Sequence, residues 1–157
     1  MYKLKHFLVQ ELIPPDLYKD RGDVALIAMD DRILITIDRL REHFSLPITI
    51  NNWHDIRVAK PFTQRGYRND TGVGAPLSQH RFGRAVDMDI SGVTAAAFRQ
   101  MVKDGRLGGP GVKDSPLEFI TRIEETNNKM PIGWIHADCG LQVMAAPVYH
   151  GIQFIQA

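Results

Sequence analysis

The sequence holds a single cysteine, Cys139, among its 157 residues. One cysteine excludes an internal disulfide framework and any zinc site built from several cysteines. The sequence also lacks an excess of charge of one sign, because 19 basic residues nearly balance 18 acidic ones and the formal net charge is +1. A generic nucleic-acid binder usually carries a basic excess, so we do not expect nucleic acid as a partner. No apolar run approaches the roughly 18 residues that a transmembrane helix needs, so we expect no membrane contact either.

The remaining composition is typical of a globular protein, with 44% hydrophobic and 24% charged residues. The length fits a single domain over residues 1–157. The first residues lack the continuous apolar stretch of a secretory signal. We therefore expect the protein to be made in a cytoplasm without a signal peptide.

Hydrophobic periodicity and turn residues predict an α+β fold with its strands gathered in the second half. Residues 1–29 are predicted to form a loosely structured arm on the domain surface, because Pro14 and Pro15 interrupt any helix. Helices are predicted at about 30–44 and 95–104, and residues 54–79 as a long irregular loop. Strands are predicted at 48–50, 85–90, 119–124 and 133–138, with a last edge strand at 153–155.

Two histidines stand in patterns that suggest chemistry. His80 follows a loop rich in glycine and proline, and Asp87 comes seven residues later inside an apolar strand. His136 lies in a second apolar strand. Two imidazoles and one carboxylate are a usual ligand set for a catalytic zinc ion with an open fourth position. Residue types and spacing alone leave a second interpretation open, in which both histidines are core residues hydrogen-bonded to nearby aspartates.

The motif around these residues resembles a known family. The matching segments are Ser78-Gln79-His80-x-x-Gly83-x-Ala85-x-Asp87 and Trp134-x-His136-x-Asp138. They resemble the zinc D-Ala-D-Ala carboxypeptidase and L-alanyl-D-glutamate endopeptidase superfamily. Together with Ile50-Asn51-Asn52-Trp53 and Arg65-Gly66-Tyr67-Arg68, they are similar to a branch common in phage-encoded peptidoglycan peptidases and virion proteins. The resemblance covers about residues 30–140 and implies the Hedgehog/DD-peptidase fold, a small antiparallel sheet with flanking helices.

The resemblance also implies roles for individual residues. It makes His80, Asp87 and His136 the ligands of a Zn²⁺ cofactor. It makes Arg65 the partner of a substrate carboxylate, with Arg68 as the alternative in the same loop, since a planar guanidinium binds a carboxylate through two parallel hydrogen bonds.

The sequence departs from the family at the catalytic base. Many members carry Glu or Asp three residues before the last histidine, and this chain has Gly133 there. Glu124, Glu125 and Asp138 are the carboxylates that could substitute. The period of two along a strand points the two glutamates in opposite directions, so only one of them can reach the metal. The phage-type branch that the chain resembles carries an Ile-Glu pair at this place, which favours Glu124 as the base. Asp138 shares a strand face with His136 and could instead orient its ring.

The implied function is a zinc metallopeptidase that cuts peptidoglycan stem peptides, as a carboxypeptidase or an endopeptidase, at the cell wall or in a virion. The alternative is a zinc-binding virion or structural protein that keeps the peptidase fold with weak or no activity, in which case virion components are its partners. Gly133 is the residue that favours this alternative.

Overall fold

The computed structural model describes residues 1–127, 130–141 and 146–156. Its α-helices are α1 (Pro15–Arg21), α2 (Asp31–Phe44) and α3 (Ala95–Lys103). Its strands are β1 (Ile48–Thr49), β2 (Ala85–Ile90), β3 (Arg122–Asn127), β4 (Met130–Pro131), β5 (Ile135–Asp138), β6 (Val148–Tyr149) and β7 (Ile152–Gln156). The predicted α+β class is confirmed. Within the described ranges, no helix is long and apolar enough to cross a bilayer.

The two longer helices form where the sequence predicts them. The carboxylate of Asp30 accepts a hydrogen bond from the backbone N–H of Arg32 (3.0 Å) and caps α2. The hydroxyl of Thr94 accepts from the N–H of Ala97 (3.1 Å) and caps α3 in the same way. Both helices bury one apolar face in a single core shared with the sheet.

The sheet is mixed, which corrects the expectation of an antiparallel one. The strand order is β1-β2-β5-β3-β7-β6, with β4 paired to β3. Most neighbouring strands run antiparallel, but β7 runs parallel to β3. The predicted edge strand at 153–155 is therefore wrong in position, because β7 lies between β3 and β6. Strand β7 is buried over most of its length, as is usual for a strand in the interior of a sheet.

Two strands begin later than predicted. The strand predicted at 119–124 is found at Arg122–Asn127, and the one predicted at 133–138 at Ile135–Asp138. A turn at residues 116–119 and a bend at 133–134 precede the observed starts, and strand ends are poorly marked by local pattern.

The N-terminal segment is not a loose arm, and this prediction is wrong. Residues 1–29 contain α1 and two 3₁₀ turns, Val9–Glu11 and Gly22–Ala28. Leu12 and Ile13 are completely buried in the core. Pro15 begins α1 instead of preventing a helix, because proline is tolerated in a first helical turn whose N–H groups have no partner within the helix.

Candidate metal centre

One face of the sheet carries the predicted ligands. Asp87 on β2 and His136 on β5 are directly opposite each other in the antiparallel ladder. Residues directly opposite each other in paired strands point to the same face of the sheet, so both side chains lie on one face. His80 comes from the 3₁₀ turn Gln79–Phe82 that immediately precedes β2.

The three side chains converge on one point. Nδ1 of His136 lies 2.8 Å from Oδ1 of Asp87 and 3.3 Å from Nε2 of His80. Nε2 of His80 lies 3.4 Å from the same carboxylate oxygen. All three residues are buried, and one ligand atom from each falls within 4.8 Å of the other two. The His80–Asp87–His136 group can hold a metal ion.

Hydrogen bonds behind the rings determine which nitrogen faces this point. Nδ1 of His80 lies 2.8 Å from the carbonyl oxygen of Gly66. A carbonyl only accepts, so Nδ1 donates and Nε2 keeps a lone pair for a metal. Nε2 of His136 lies 3.1 Å from Oδ2 of Asp138, which leaves Nδ1 as the nitrogen that faces Asp87. Such outer partners fix the tautomer and orientation of metal-binding histidines.

The N-terminal segment supports His80 from below. The carbonyl of Leu12 accepts a hydrogen bond from the N–H of Tyr67 (2.8 Å). A Cβ on Gly66 would lie 2.1 Å from the same carbonyl oxygen, so only glycine lets the two backbones approach this closely. Because the carbonyl of Gly66 holds His80, the buried N-terminal segment is part of the architecture of the site.

Gly83, the glycine of the His-x-x-Gly motif, has a local structural explanation. It ends the 3₁₀ turn with a φ of +66°, a left-handed conformation that favours glycine. A Cβ there would lie 1.9 Å from the carbonyl oxygen of Ala28. Its own carbonyl accepts a hydrogen bond from the N–H of Asp30 (3.0 Å). Gly83 therefore lets the turn that carries His80 pack closely against the start of α2.

The candidate bases occupy different positions, as the alternation along β3 predicts. Oε1 of Glu124 lies 3.8 Å from Nε2 of His136, on the site face. Glu125 points away and accepts a hydrogen bond from Nζ of Lys103 (2.5 Å). A Cβ added at Gly133 would have no atom of the described residues within 4 Å. Glu124 is thus the carboxylate on β3 that reaches the site.

Charges in the site favour a cation at its centre. Burial would raise the pKa of Asp87, but the close contacts with His136 and His80 hold that pKa well below its usual range. Burial would lower the pKa of His136, but hydrogen bonds to Asp138 and Asp87 outweigh it and raise the pKa to about 10. The carboxylates that favour a proton on Nδ1 of His136 equally favour a metal cation there.

Glu124 has the opposite shift from Asp87. Burial, more than any other cause, raises the pKa of Glu124. The negative charges of Asp87 and Asp138 raise it further, whereas His136 and His80 lower it. A carboxylate with a raised pKa is better matched to proton transfer near neutral pH than an ordinary glutamate.

The two loop arginines differ in their surroundings. Arg65 stacks its guanidinium 3.5 Å over the centre of the Phe62 ring and forms an ion pair with Asp89. Arg68 lies with Nη2 3.4 Å from Oδ2 of Asp87. Burial lowers the pKa of Arg68, and the negative charge of Asp87 offsets part of this effect.

A cavity of about 510 Å³ opens over the predicted ligands. Its charged and polar lining comprises Arg68, Ser78, Gln79, Arg122, Glu124 and Asp138, together with the three ligands. Trp134 and Ile155 contribute apolar wall, as do parts of the irregular loop. Arg65 is not among the lining residues, so the assignment of Arg65 to the substrate remains a prediction that the cavity geometry does not support.

Arg122 is a charged lining residue that sequence reasoning missed. It shares a face of β3 with Glu124, two residues away, so the strand period already placed it on the same side. Its Nε donates to Oδ1 of Asp138 (2.8 Å), and Asp138 is almost fully buried.

Comparisons with known proteins do not add to this description. The chain matches no family model, and neither a curated protein nor a solved structure is significantly similar to it.

Proposed function

We propose that this protein is a zinc-dependent peptidase that cleaves a peptide bond in the stem peptides of bacterial peptidoglycan. The observation that supports it is the convergence of His80, Asp87 and His136 under a cavity that also presents Glu124. The motif resemblance supplies the substrate class, and the geometry supplies residues suited to each step of hydrolysis.

Zinc is the cation that the donor set fits best. Two imidazole nitrogens and one carboxylate form a common catalytic zinc set, and a fourth position is left for water or substrate. Such an ion polarises a carbonyl and makes water more acidic. The hydrogen bonds from His80 to Gly66 and from His136 to Asp138 hold the two rings ready for this role.

Glu124 takes the proton from the attacking water. It is the carboxylate on the cavity wall beside His136, and burial raises its pKa. In the described ranges its carboxylate forms no hydrogen bond, so both carboxylate oxygens are available to water. Glu124, on the neighbouring strand β3, thereby takes the role of the carboxylate that the family pattern carries at position 133.

Arg68 binds the carboxylate of the substrate. Its guanidinium lines the cavity within reach of the ligand cluster, and Arg65 does not. A carboxypeptidase would present the terminal carboxylate to Arg68, and an endopeptidase a side-chain carboxylate such as that of D-glutamate.

The test is hydrolysis by the zinc-loaded protein of purified peptidoglycan and of two synthetic stem peptides. One peptide ends in D-Ala-D-Ala, and the other carries an internal L-Ala-D-Glu bond. New amino groups and product masses identify the bond that is cut. Protein from which a chelator has removed the zinc is the control. We expect one peptide to be cut in a zinc-dependent manner.

The second candidate is a zinc-binding virion or structural protein without turnover. Gly133 favours it, because the carboxylate usual at that position is missing. Full zinc occupancy without cleavage of peptidoglycan or either peptide would support this candidate and refute the peptidase.

A further inference from the structure

Two hydrogen bonds fix the carboxylate of Asp138, which also contacts the ring of His136. Nε of Arg122 and the backbone N–H of Gly140 both donate to its Oδ1, each at 2.8 Å. Its other oxygen, Oδ2, is left for Nε2 of His136. The carboxylate cannot rotate without breaking two hydrogen bonds, so the direction of Oδ2 is fixed.

The position of Arg122 follows from the sheet register. Arg122 and Asp138 are directly opposite each other across the β3–β5 ladder. Cross-strand neighbours on one face have Cβ atoms about 5 Å apart, close enough for an arginine to fold back on an aspartate. The guanidinium is mostly buried, with 14% of the side chain exposed, so little water competes for the carboxylate.

Space for the guanidinium depends on Gly140. A Cβ at residue 140 would lie 2.7 Å from Nη2 of Arg122, 2.9 Å from Cδ of Gln79 and 3.0 Å from Cζ of Arg122. Gly140 does not have a positive φ, so alanine is compatible with its backbone. An added methyl group would therefore displace the guanidinium and the neighbouring Gln79 side chain, without changing any charge.

We propose that Arg122 is a positioning residue of the metal centre: through Asp138 it fixes the ring of His136 so that Nδ1 faces His80 and Asp87. This inference rests on the metal centre of the proposed function but not on its peptidase activity. Among the described residues, Arg122 forms no hydrogen bond or ion pair with a predicted ligand, and its side chain pairs with Asp138.

The first measurement is zinc affinity, determined by competition with a chromogenic chelator. Loss of an outer hydrogen-bond partner typically costs 10- to 100-fold in metal affinity. We expect Arg122→Gln to weaken zinc binding by about 10-fold and Gly140→Ala by less. Arg57→Gln is the matched control, because Arg57 also pairs with an aspartate, Asp55, but in an exposed loop.

The second measurement separates positioning from a general structural effect. The visible absorption of the Co²⁺-loaded protein reports the ligand geometry, and we expect Arg122→Gln and Gly140→Ala to change it in the same direction. Arg122→Lys keeps the charge but cannot reproduce the Nε contact, so it should behave like Arg122→Gln. Thermal unfolding of the metal-free variants identifies any that fail to fold; if Arg122→Gln is one of them, Arg122→Lys carries the test.

The third measurement is a double-mutant cycle with Asp138→Asn. If Arg122 acts through Asp138, Arg122→Gln should cost little further zinc affinity in the Asp138→Asn background. An equal loss in both backgrounds would overturn the proposal, as would unchanged zinc affinity and an unchanged Co²⁺ spectrum in Arg122→Gln. Wild-type protein that binds neither metal would overturn it together with the metal centre. Protein that binds zinc but cleaves no peptide would refute only the peptidase.

Discussion

Asp87 and His136 face each other across the β2–β5 ladder, with Oδ1 and Nδ1 2.8 Å apart. The two residues are 49 positions apart in the sequence, yet the register alone brings them together. His80 completes the group because its turn leads directly into β2. The geometry of the candidate metal centre is therefore a consequence of strand pairing, and its predicted ligands can be tested one strand position at a time.

The first prediction concerns the ligands. Freshly purified protein should contain about one zinc per chain, measured by elemental analysis. Asp87→Asn should weaken zinc binding by at least the 10- to 100-fold typical of an outer partner, because it removes a charged ligand. Asp89→Asn is the matched control, because it lies on the same face of β2 but pairs with Arg65. Equal zinc affinities for the two variants would contradict the ligand assignment.

The second prediction concerns the base. Glu124→Gln should lower the rate of peptide hydrolysis by about 10²- to 10⁴-fold while zinc stays bound, because general-base help has this magnitude. Glu125→Gln should change the rate little, since Glu125 pairs with Lys103 on the opposite face. Rates and zinc content are measured on the same samples. A fully active Glu124→Gln variant would exclude Glu124 as the base.

The local pattern was sufficient for the parts of the site that depend on a single element. Alternation along a strand placed Glu124 and Glu125 on opposite faces, and Glu124 lies on the site face as predicted. It also placed Asp138 beside His136, and a hydrogen bond joins the two. The period of two needs no knowledge of the neighbouring strands.

Features that depend on distant parts of the chain could not be predicted. The parallel pairing of β7 with β3 is not local, and no periodicity in β7 reveals its partner. Leu12 and Ile13 form too short an apolar segment to show a period, although both are buried. The predicted loop contains no regular element over residues 54–78, so the sequence could not tell whether Arg65 or Arg68 lines the cavity.

The third prediction separates these two arginines. Arg68→Lys should lower kcat/KM by about 10- to 100-fold, the value of a charged hydrogen bond of about 1.5–3 kcal/mol. Lysine keeps the charge but loses the two parallel hydrogen bonds to a carboxylate. Arg65→Lys should change kcat/KM little, because Arg65 stacks on Phe62 and pairs with Asp89 outside the cavity. The reverse order of effects would return the substrate role to Arg65.

The fourth prediction links the motif glycine to stability and to the metal. Gly83 and Gly92 have similar positive φ values, +66° and +73°, but a Cβ at Gly92 would meet nothing within 4 Å. Gly92→Ala should therefore cost only the backbone strain, about 1 kcal/mol of the free energy of unfolding. Gly83→Ala adds a clash with the Ala28 carbonyl and should cost about 2–4 kcal/mol in total.

Urea unfolding of the metal-free variants measures this difference directly. Relief of the clash must push the Gln79–Phe82 turn away from Ala28, and His80 lies in that turn. Gly83→Ala should therefore also weaken zinc binding, whereas Gly92→Ala should leave it unchanged. Equal unfolding free energies for the two variants, or a Gly83→Ala protein with normal zinc affinity, would show that this close contact does not position His80.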